Sequence, residues 1–163
     1  MAASEISLEP ISKSRLRLWL RLLKATSGIE TELRRRLRDE CDTTLPRFDV
    51  LSALSRYPDG LKMSEISAFL KVSNGNVTGI VERLVEDGHA ARMAVPGDKR
   101  ANRVKLTSEG HAVFADLAAK HEGWIDELMG GLDRSAIAAC NEIFEQFVSS
   151  GEPETALKKA GRP

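Results

Sequence analysis

The stretch VSNGNVTGIVERLVEDG, Val72 to Gly88, has apolar residues at helical spacing, yet two glycines stand inside that pattern. A glycine in a helix interior costs about 1 kcal/mol relative to alanine. At 100° per residue, one side carries Val77, Ile80, Val81, Leu84 and Val85, and the other carries Gly75, Asn76, Thr78, Gly79, Glu82 and Arg83. Solvated helix faces are usually filled with Lys, Glu, Gln and Ala. The small, polar face therefore predicts a surface that another backbone approaches closely.

The major groove of duplex DNA is a partner that fits this face. Asn and Arg side chains match the edges of adenine and guanine, and Thr can bond to a phosphate or touch a thymine methyl. A short helix expected from near Ser64 precedes the stretch, and Ser73 can stand at the N-cap of the second helix. The pattern therefore indicates a helix-turn-helix. The alternative is that Gly75 and Gly79 permit close packing against another helix of the chain.

A β-hairpin is expected directly after this helix. HAARMAV, then PGDKRAN, then RVKLT have the pattern of two short strands joined by a Pro-Gly-Asp turn. Lys99, Arg100 and Arg103 cluster at its tip, where a wing contacts phosphates or a narrow minor groove. Seven basic residues stand against four acidic ones from Lys71 to Thr107, but two against ten from Glu109 to Glu154. We expect the first of these segments, and not the second, to face DNA.

The remaining elements are helical. A long helix is expected from residue 11 to about residue 39, then a second with Thr44 as its N-cap and Pro46 in its first turn. The third, from near Ser64, is expected to bury Ile66, Phe69 and Leu70. Thr107 can cap a further helix, and GGLD separates that helix from the last one. The predicted fold class is mostly α with a small β-hairpin wing (α+β), a winged helix-turn-helix with a helical dimerisation region.

Composition narrows the class of protein. The chain has 163 residues, a formal net charge of zero, and no apolar run near the roughly 18 residues of a membrane span. The N-terminus has no signal-peptide pattern, so we expect a cytoplasmic location and no membrane partner. His89, His111 and His121 lack metal-ligand spacing, and there is no phosphate loop or nucleophile elbow. We therefore expect a protein that is not an enzyme and has no cofactor or metal.

The segment DKRANRVKLT, Asp98 to Thr107, carries a family motif. It resembles the wing of the MarR family of bacterial transcription regulators, whose pattern D-x-R-x5-L-T is matched by Asp98, Arg100, Leu106 and Thr107. The resemblance covers about residues 14 to 148. It implies a winged helix-turn-helix whose first helix combines with the last two in a homodimer. With the polar segments at the two ends of the chain, the predicted organisation is an arm (1–10), one MarR-type domain (11–150) with dimerisation helices (11–40 and 108–149) around the DNA-binding part (44–107), and a flexible tail (151–163).

The resemblance also implies which residues contact DNA. Residues of the two helices would face the major groove, and residues of the wing would reach the backbone or the minor groove. Together with the residues indicated by their own position and charge, the candidate contacts are Ser64, Ser73, Asn74, Asn76, Thr78, Arg83, Lys99, Arg100, Asn102 and Arg103. Asp98 would brace the wing without touching DNA.

Members of this family commonly repress genes until a small molecule, often an aromatic acid, binds between the dimerisation and DNA-binding parts. The candidate pocket residues are Arg15, Trp19, Leu23, Arg47, Phe48, Leu51, Phe114, His121 and Trp124, with Arg15 or Arg47 pairing an anionic group. Aromatic residues at helical spacing are also typical of a core. RLWLRLL and HEGWI are similar to members associated with hydroxycinnamate catabolism, some of which sense acyl-CoA thioesters. We thus expect an aromatic carboxylate or an aryl-CoA thioester as effector.

The predicted function is a ligand-responsive transcription regulator, a repressor that binds a palindromic operator in double-stranded DNA as a homodimer. One alternative is a redox-sensing regulator that acts through Cys41. That cysteine stands between Glu40 and Asp42, whose charges disfavour a reactive thiolate, so we favour an inert residue, and Cys140 fits helix packing. A further alternative is a winged-helix adaptor that binds protein and no DNA.

Overall fold

The computed structural model describes residues 10–70, 74–95 and 98–151. Its elements are α1 (Ile11–Cys41), α2 (Leu45–Ser55), β1 (Leu61–Lys62), α3 (Met63–Leu70), α4 (Asn74–Glu86), β2 (Ala90–Val95), β3 (Asp98–Leu106), α5 (Ser108–Leu128) and α6 (Arg134–Gly151). Helices predominate and the sheet is small and antiparallel, so the predicted class, mostly α with a small β-hairpin wing, is confirmed. The predicted arm before Pro10 and the tail after Gly151 lie outside the described residues. The chain divides into two compact units, Met1–Ile125 and Asp126–Pro163.

The helix boundaries of the first unit follow from local capping. α1 ends where Asp42 adopts a left-handed conformation (φ 48°). The hydroxyl of Thr44 accepts a hydrogen bond of 3.4 Å from the amide of Arg47 at the start of α2. The hydroxyl of Thr107 accepts one of 3.0 Å from the amide of Gly110 at the start of α5. The predicted N-caps Thr44 and Thr107 are therefore confirmed.

The sheet has the strand order β1-β3-β2, with both pairings antiparallel. The hairpin of β2 and β3 was expected, but β1 was not, because a two-residue strand has no periodicity to detect. β1 pairs Leu61 with Val104. Gly60 precedes it with a φ of +78°, and a Cβ there would lie 2.7 Å from the carbonyl oxygen of Val104. Only glycine suits both the backbone angle and this close approach.

The core of the first unit lies between α2, α4 and the sheet, and α1 and α5 add to it. The apolar side of α4 is directed into it as predicted: Val77, Val81 and Leu84 are fully buried, and Ile80 and Val85 are half-buried. The prediction for Phe69 is wrong. α3 buries Ile66 and Ser67, and Phe69 lies at the edge of that face, 37% exposed and edge-on to Tyr57. An eight-residue helix has too few turns to bury a wide face.

Apolar side chains also remain exposed. In the first unit they lie on the first half of α1: Ile11, Leu16, Leu18, Trp19, Leu20 and Leu23. In the second unit they lie around the end of α5 and along α6: Leu128, Met129, Leu132, Ile137, Ile143, Phe144 and Phe147. Asp133 caps α6, because its Oδ1 accepts a hydrogen bond of 2.8 Å from the amide of Ala136. Within the described ranges, no helix is both long enough and apolar enough to cross a membrane.

Candidate nucleic-acid interface

The outer face of α4 is open. Gly75, Asn76, Gly79 and Arg83 are exposed, and Thr78 is half-buried. A Cβ built on Gly75 or Gly79 would meet no atom within 4 Å. The alternative that these glycines make room for another helix is therefore not met within the described part of the chain. What the glycines create is a shallow surface, with the longer side chains of Asn76 and Arg83 beside it.

The other predicted contacts of the helix-turn-helix are placed in part. Ser64 is exposed in the first turn of α3. Asn74 begins α4, although only its backbone belongs to the described structure. Ser73, the predicted N-cap, lies outside the described residues.

The wing is formed by β2 and β3. Strand β3 includes Asp98, Lys99, Arg100 and Asn102. Only the backbone of these four residues belongs to the described structure. Arg103 is half-buried, and its Nη1 donates a hydrogen bond of 2.7 Å to the carbonyl of Gly60. This contact was not foreseen from the sequence, since 43 residues separate the partners. Arg103 therefore braces the base of the wing, whatever further contact its remaining donors make.

Arg47 is engaged inside the protein. Its Nη2 lies 2.5 Å from Oδ2 of Asp87 and 3.1 Å from Nδ1 of His89. The hydrogen bond and charge of Arg47 hold the pKa of the Asp87 carboxyl below its usual value. Sequence reasoning missed this link from α2 to the end of α4. It had assigned Arg47 to an effector, but in the structure the guanidinium already has an anionic partner.

The residues expected to form an effector pocket lie in different environments. Arg15, Trp19 and Leu23 are exposed on α1, whereas Phe48, Leu51 and Trp124 belong to the core. Phe114 and His121 are half-buried against Phe48, whose ring stacks on that of His121 with centroids 4.6 Å apart. Burial lowers the pKa of His121 below its usual value.

A cavity lies between α1 and α4. It is a cleft of about 650 Å³, lined by Glu30, Arg34, Arg38, Thr43, Thr44, Leu45, Pro46, Asp49, Leu70, Asn76 and Ile80. Its volume is typical of a site for a small molecule. Arg38 makes no hydrogen bond or ion pair with the described residues, and the buried hydroxyl of Thr43 has no partner among them. We name this cavity the α1–α4 cleft.

Two further features of the cleft bear on its chemistry. Asp49 is half-buried there, and burial raises the pKa of its carboxyl although Arg34 opposes the shift. Asn76, on the outer face of α4, also lines the cleft. One side chain of the candidate interface therefore borders the cavity.

Among the described residues, no group of His, Cys, Asp and Glu could hold a metal ion. Cys41 and Cys140 are unpaired and half-buried.

Comparison with known proteins agrees with this architecture. The family model described as MarR family matches residues 42–101. The chain is 32% identical over 117 residues to the transcriptional activatory protein BadR of Rhodopseudomonas palustris, an alignment covering 70% of this chain and 66% of BadR. The chain thus spans just under two thirds of that relative's length.

Solved structures show the same fold. A MarR family transcriptional regulator from Silicibacter pomeroyi superposes with a TM-score of 0.73 and 30% identity, over 88% of this chain and 99% of that one. Sco3205 from Streptomyces coelicolor, solved with DNA, has a TM-score of 0.74 at 23% identity, over 87% and 91% of the two chains. BpsR from Bordetella bronchiseptica, whose DNA binding is regulated by 6-hydroxynicotinic acid, has a TM-score of 0.69 at 20% identity, over 81% and 98%.

Membership of one family explains three findings together. They are the motif match in the wing, the winged-helix architecture and the 30% identity across nearly the whole Silicibacter pomeroyi protein. Proteins of this family and fold are regulators of transcription and not enzymes. The chain belongs to the MarR family of transcription regulators.

Proposed function

We propose that this protein binds operator sequences in double-stranded DNA as a homodimer and that a small aromatic acid, or its CoA thioester, releases it. The single observation that carries the DNA-binding role is the open outer face of α4. Its buried side is held by three fully buried residues, while its outer side has two glycines with empty space above them. The major groove, about 12 Å wide, admits a helix with such a face.

The side chains around those glycines suit base edges and phosphates. Asn76 can bond in a bidentate manner to adenine and Arg83 to guanine, because both are exposed beside the glycines. Lys105 and Arg103 share one face of β3, since they are two residues apart on a strand. Arg100, which the wing motif assigns to the minor groove, completes the proposed contacts. The cytoplasm, where bacterial DNA is found, is the proposed place of action.

The homodimer is proposed from the exposed apolar residues. In α1, Trp19 and Leu20 are each more than half exposed, and in α6 Phe144 is 43% exposed. Exposed apolar patches of this kind usually mark surfaces through which a protein associates with a partner. We propose that a second copy of the chain covers both sets. Two-fold related copies suit a palindromic operator, with one α4 in each half-site.

The α1–α4 cleft is the proposed effector site. An aromatic ring would lie against Pro46, Leu70 and Ile80, and its carboxylate would meet Arg38, whose guanidinium has no partner among the described residues. The unpaired hydroxyl of Thr43 would bond to the same ligand. Because Asn76 lines the cleft, a bound ligand would disturb a residue needed at the DNA. The regulation of BpsR by 6-hydroxynicotinic acid supports an aromatic acid as the effector class.

The direction of regulation depends on where the operator lies relative to a promoter. Repression is the expectation from the family resemblance, and it is the direction we propose. BadR is named a transcriptional activatory protein, so a relative of this chain acts in the other direction. A promoter fusion to a reporter, with and without the protein, decides between the two.

The experiment that tests the proposal is equilibrium binding to labelled duplexes from the region upstream of the protein's own gene. Binding is measured at 50 mM and about 200 mM salt, because contacts to several phosphates make affinity fall steeply with salt. A panel of aromatic acids and their CoA thioesters is then added. Arg38→Met should bind DNA like the wild type but resist release, whereas Arg35→Met, an exposed control on the same helix, should respond normally. A folded dimer that binds no duplex would instead indicate a protein-binding adaptor.

A further inference from the structure

The turn after α4 fastens that helix to the start of α5. Asp87, Gly88 and His89 connect α4 to β2, and their amides donate to Arg83, Val85 and Leu84 in turn. The hydroxyl of Thr107 donates a hydrogen bond of 2.7 Å to the carbonyl of Gly88. The amide of Thr107 donates to the carbonyl of His89. Gly110 packs beneath it, since a Cβ at that position would lie 1.9 Å from the oxygen of His89.

Arg47 holds the same turn from the opposite direction. Its side chain extends from the first turn of α2 to the turn between α4 and β2. There Nη2 contacts both Asp87 and His89. The side chain of Arg47 is 22% exposed and that of Asp87 is 48% exposed. Because a guanidinium only donates, the Nδ1 atom of His89 is the acceptor in this contact.

The contact of Arg47 with Asp87 lies at the end of α4 that is far from Asn76, so it affects the angle of the whole helix. Asn76 lies eleven residues before Asp87. That separation corresponds to about 17 Å of helix, so a tilt of about 10° at the Asp87 end moves Asn76 by about 3 Å. Hydrogen bonds to base edges do not survive such a displacement. A contact that restrains the far end of α4 therefore matters at the end that would meet DNA.

We infer that Arg47 is a positioning residue, which fixes the angle of α4 for DNA binding by joining α2 to Asp87 and His89. The inference rests on the proposed function, in which α4 enters the major groove. Arg47 touches no DNA in this arrangement. Its contribution is the geometry of α4.

The test compares six variants for affinity to a duplex that the wild type binds. Arg47→Met should weaken binding by about tenfold, a typical coupling for a contacting pair, while Arg47→Lys, which still reaches Asp87, should retain most of the affinity. The exchanged pair, Arg47→Asp with Asp87→Arg, should bind more tightly than either single change. Arg35→Met removes a more exposed arginine that also pairs with carboxylates, those of Glu32 and Asp39 on α1, and it should change nothing.

Hydrogen exchange of the free protein provides a second readout. Arg47→Met should speed amide exchange in residues 77–87, and Arg35→Met should not. Unchanged exchange in α4, or an exchanged pair no better than its single changes, would overturn the inference, the latter because the effect of Arg47 would then not depend on its pairing with Asp87. Failure of the wild type to bind any duplex would count against the proposed function alone, since the exchange of α4 still decides whether Arg47 holds that helix.

Discussion

The guanidinium of Arg103 donates a hydrogen bond of 2.7 Å to the carbonyl oxygen of Gly60. The bond ties the wing strand β3 to the turn that precedes β1. An arginine at this place therefore has a structural partner before any DNA is present, which changes what its substitution should do.

We predict that Arg103→Met weakens binding to all duplexes alike and also destabilises the protein. Loss of a hydrogen bond from a charged donor costs about 1.5–3 kcal/mol, less where the site is half exposed. Lys105→Met is the matched control, because Lys105 lies two residues away on the same face of β3 and is likewise half-buried. Thermal unfolding should separate the two, with a lower melting temperature for Arg103→Met only. Equal melting temperatures would contradict a bracing role.

Asn76→Ala and Arg83→Ala should relax sequence preference. Each bidentate contact to a base contributes roughly 1–3 kcal/mol of discrimination. Affinity for the cognate duplex should therefore fall, while affinity for a scrambled duplex stays nearly constant. Titration of both duplexes with each variant measures this. Equal losses on the two duplexes would mean that these residues contact only the backbone.

Gly79→Ala should have opposite effects on stability and on DNA binding. The helix gains up to about 1 kcal/mol from alanine in its interior, and no atom lies within 4 Å to oppose the new methyl group. That methyl group would project towards the DNA and reduce affinity. Gly28→Ala is the control, since Gly28 is also inside a helix with nothing within 4 Å. It should stabilise the protein without weakening DNA binding. The prediction fails if Gly79→Ala leaves affinity unchanged.

Trp19→Glu should disrupt the proposed homodimer. Trp19 is 55% exposed in the single chain, and full burial of a large apolar side chain contributes about 1.5–3 kcal/mol. Sedimentation should show dissociation at concentrations where the wild type is dimeric. Arg21→Glu, also exposed on α1, introduces the same side chain as a control. A dimeric Trp19→Glu protein that has instead lost its response to an effector would favour a role of Trp19 in ligand binding.

His121 should make stability depend on pH. Its pKa in the folded protein lies below 6.5 because the ring is partly buried on Phe48. In the range between the folded value and 6.5, the unfolded chain binds more protons, so the free energy of unfolding falls as the pH falls. His121→Gln should flatten this dependence as the pH falls through 6.5. His111→Gln, which replaces an exposed histidine on α5, should not, and an identical slope in both variants would exclude His121 as the cause.

The sequence by itself determined the features that depend on neighbouring residues. The apolar side of α4, the N-caps Thr44 and Thr107, and the hairpin were all predictable, because helical periodicity and capping are local. The motif in the wing, together with that order of elements, was enough to indicate the family. The glycines of α4 indicated an open face for the same reason.

Only the tertiary structure decided the roles of residues whose partners are distant in the chain. Arg47 meets His89 across 42 residues, and Arg103 meets Gly60 across 43. In the sequence both are simply basic residues near a candidate site. β1 likewise exists through its pairing with β3, and the α1–α4 cleft through the approach of two helices. Such contacts depend on how the elements pack against one another. The periodicity of a single segment therefore cannot predict which arginine pairs with a carboxylate.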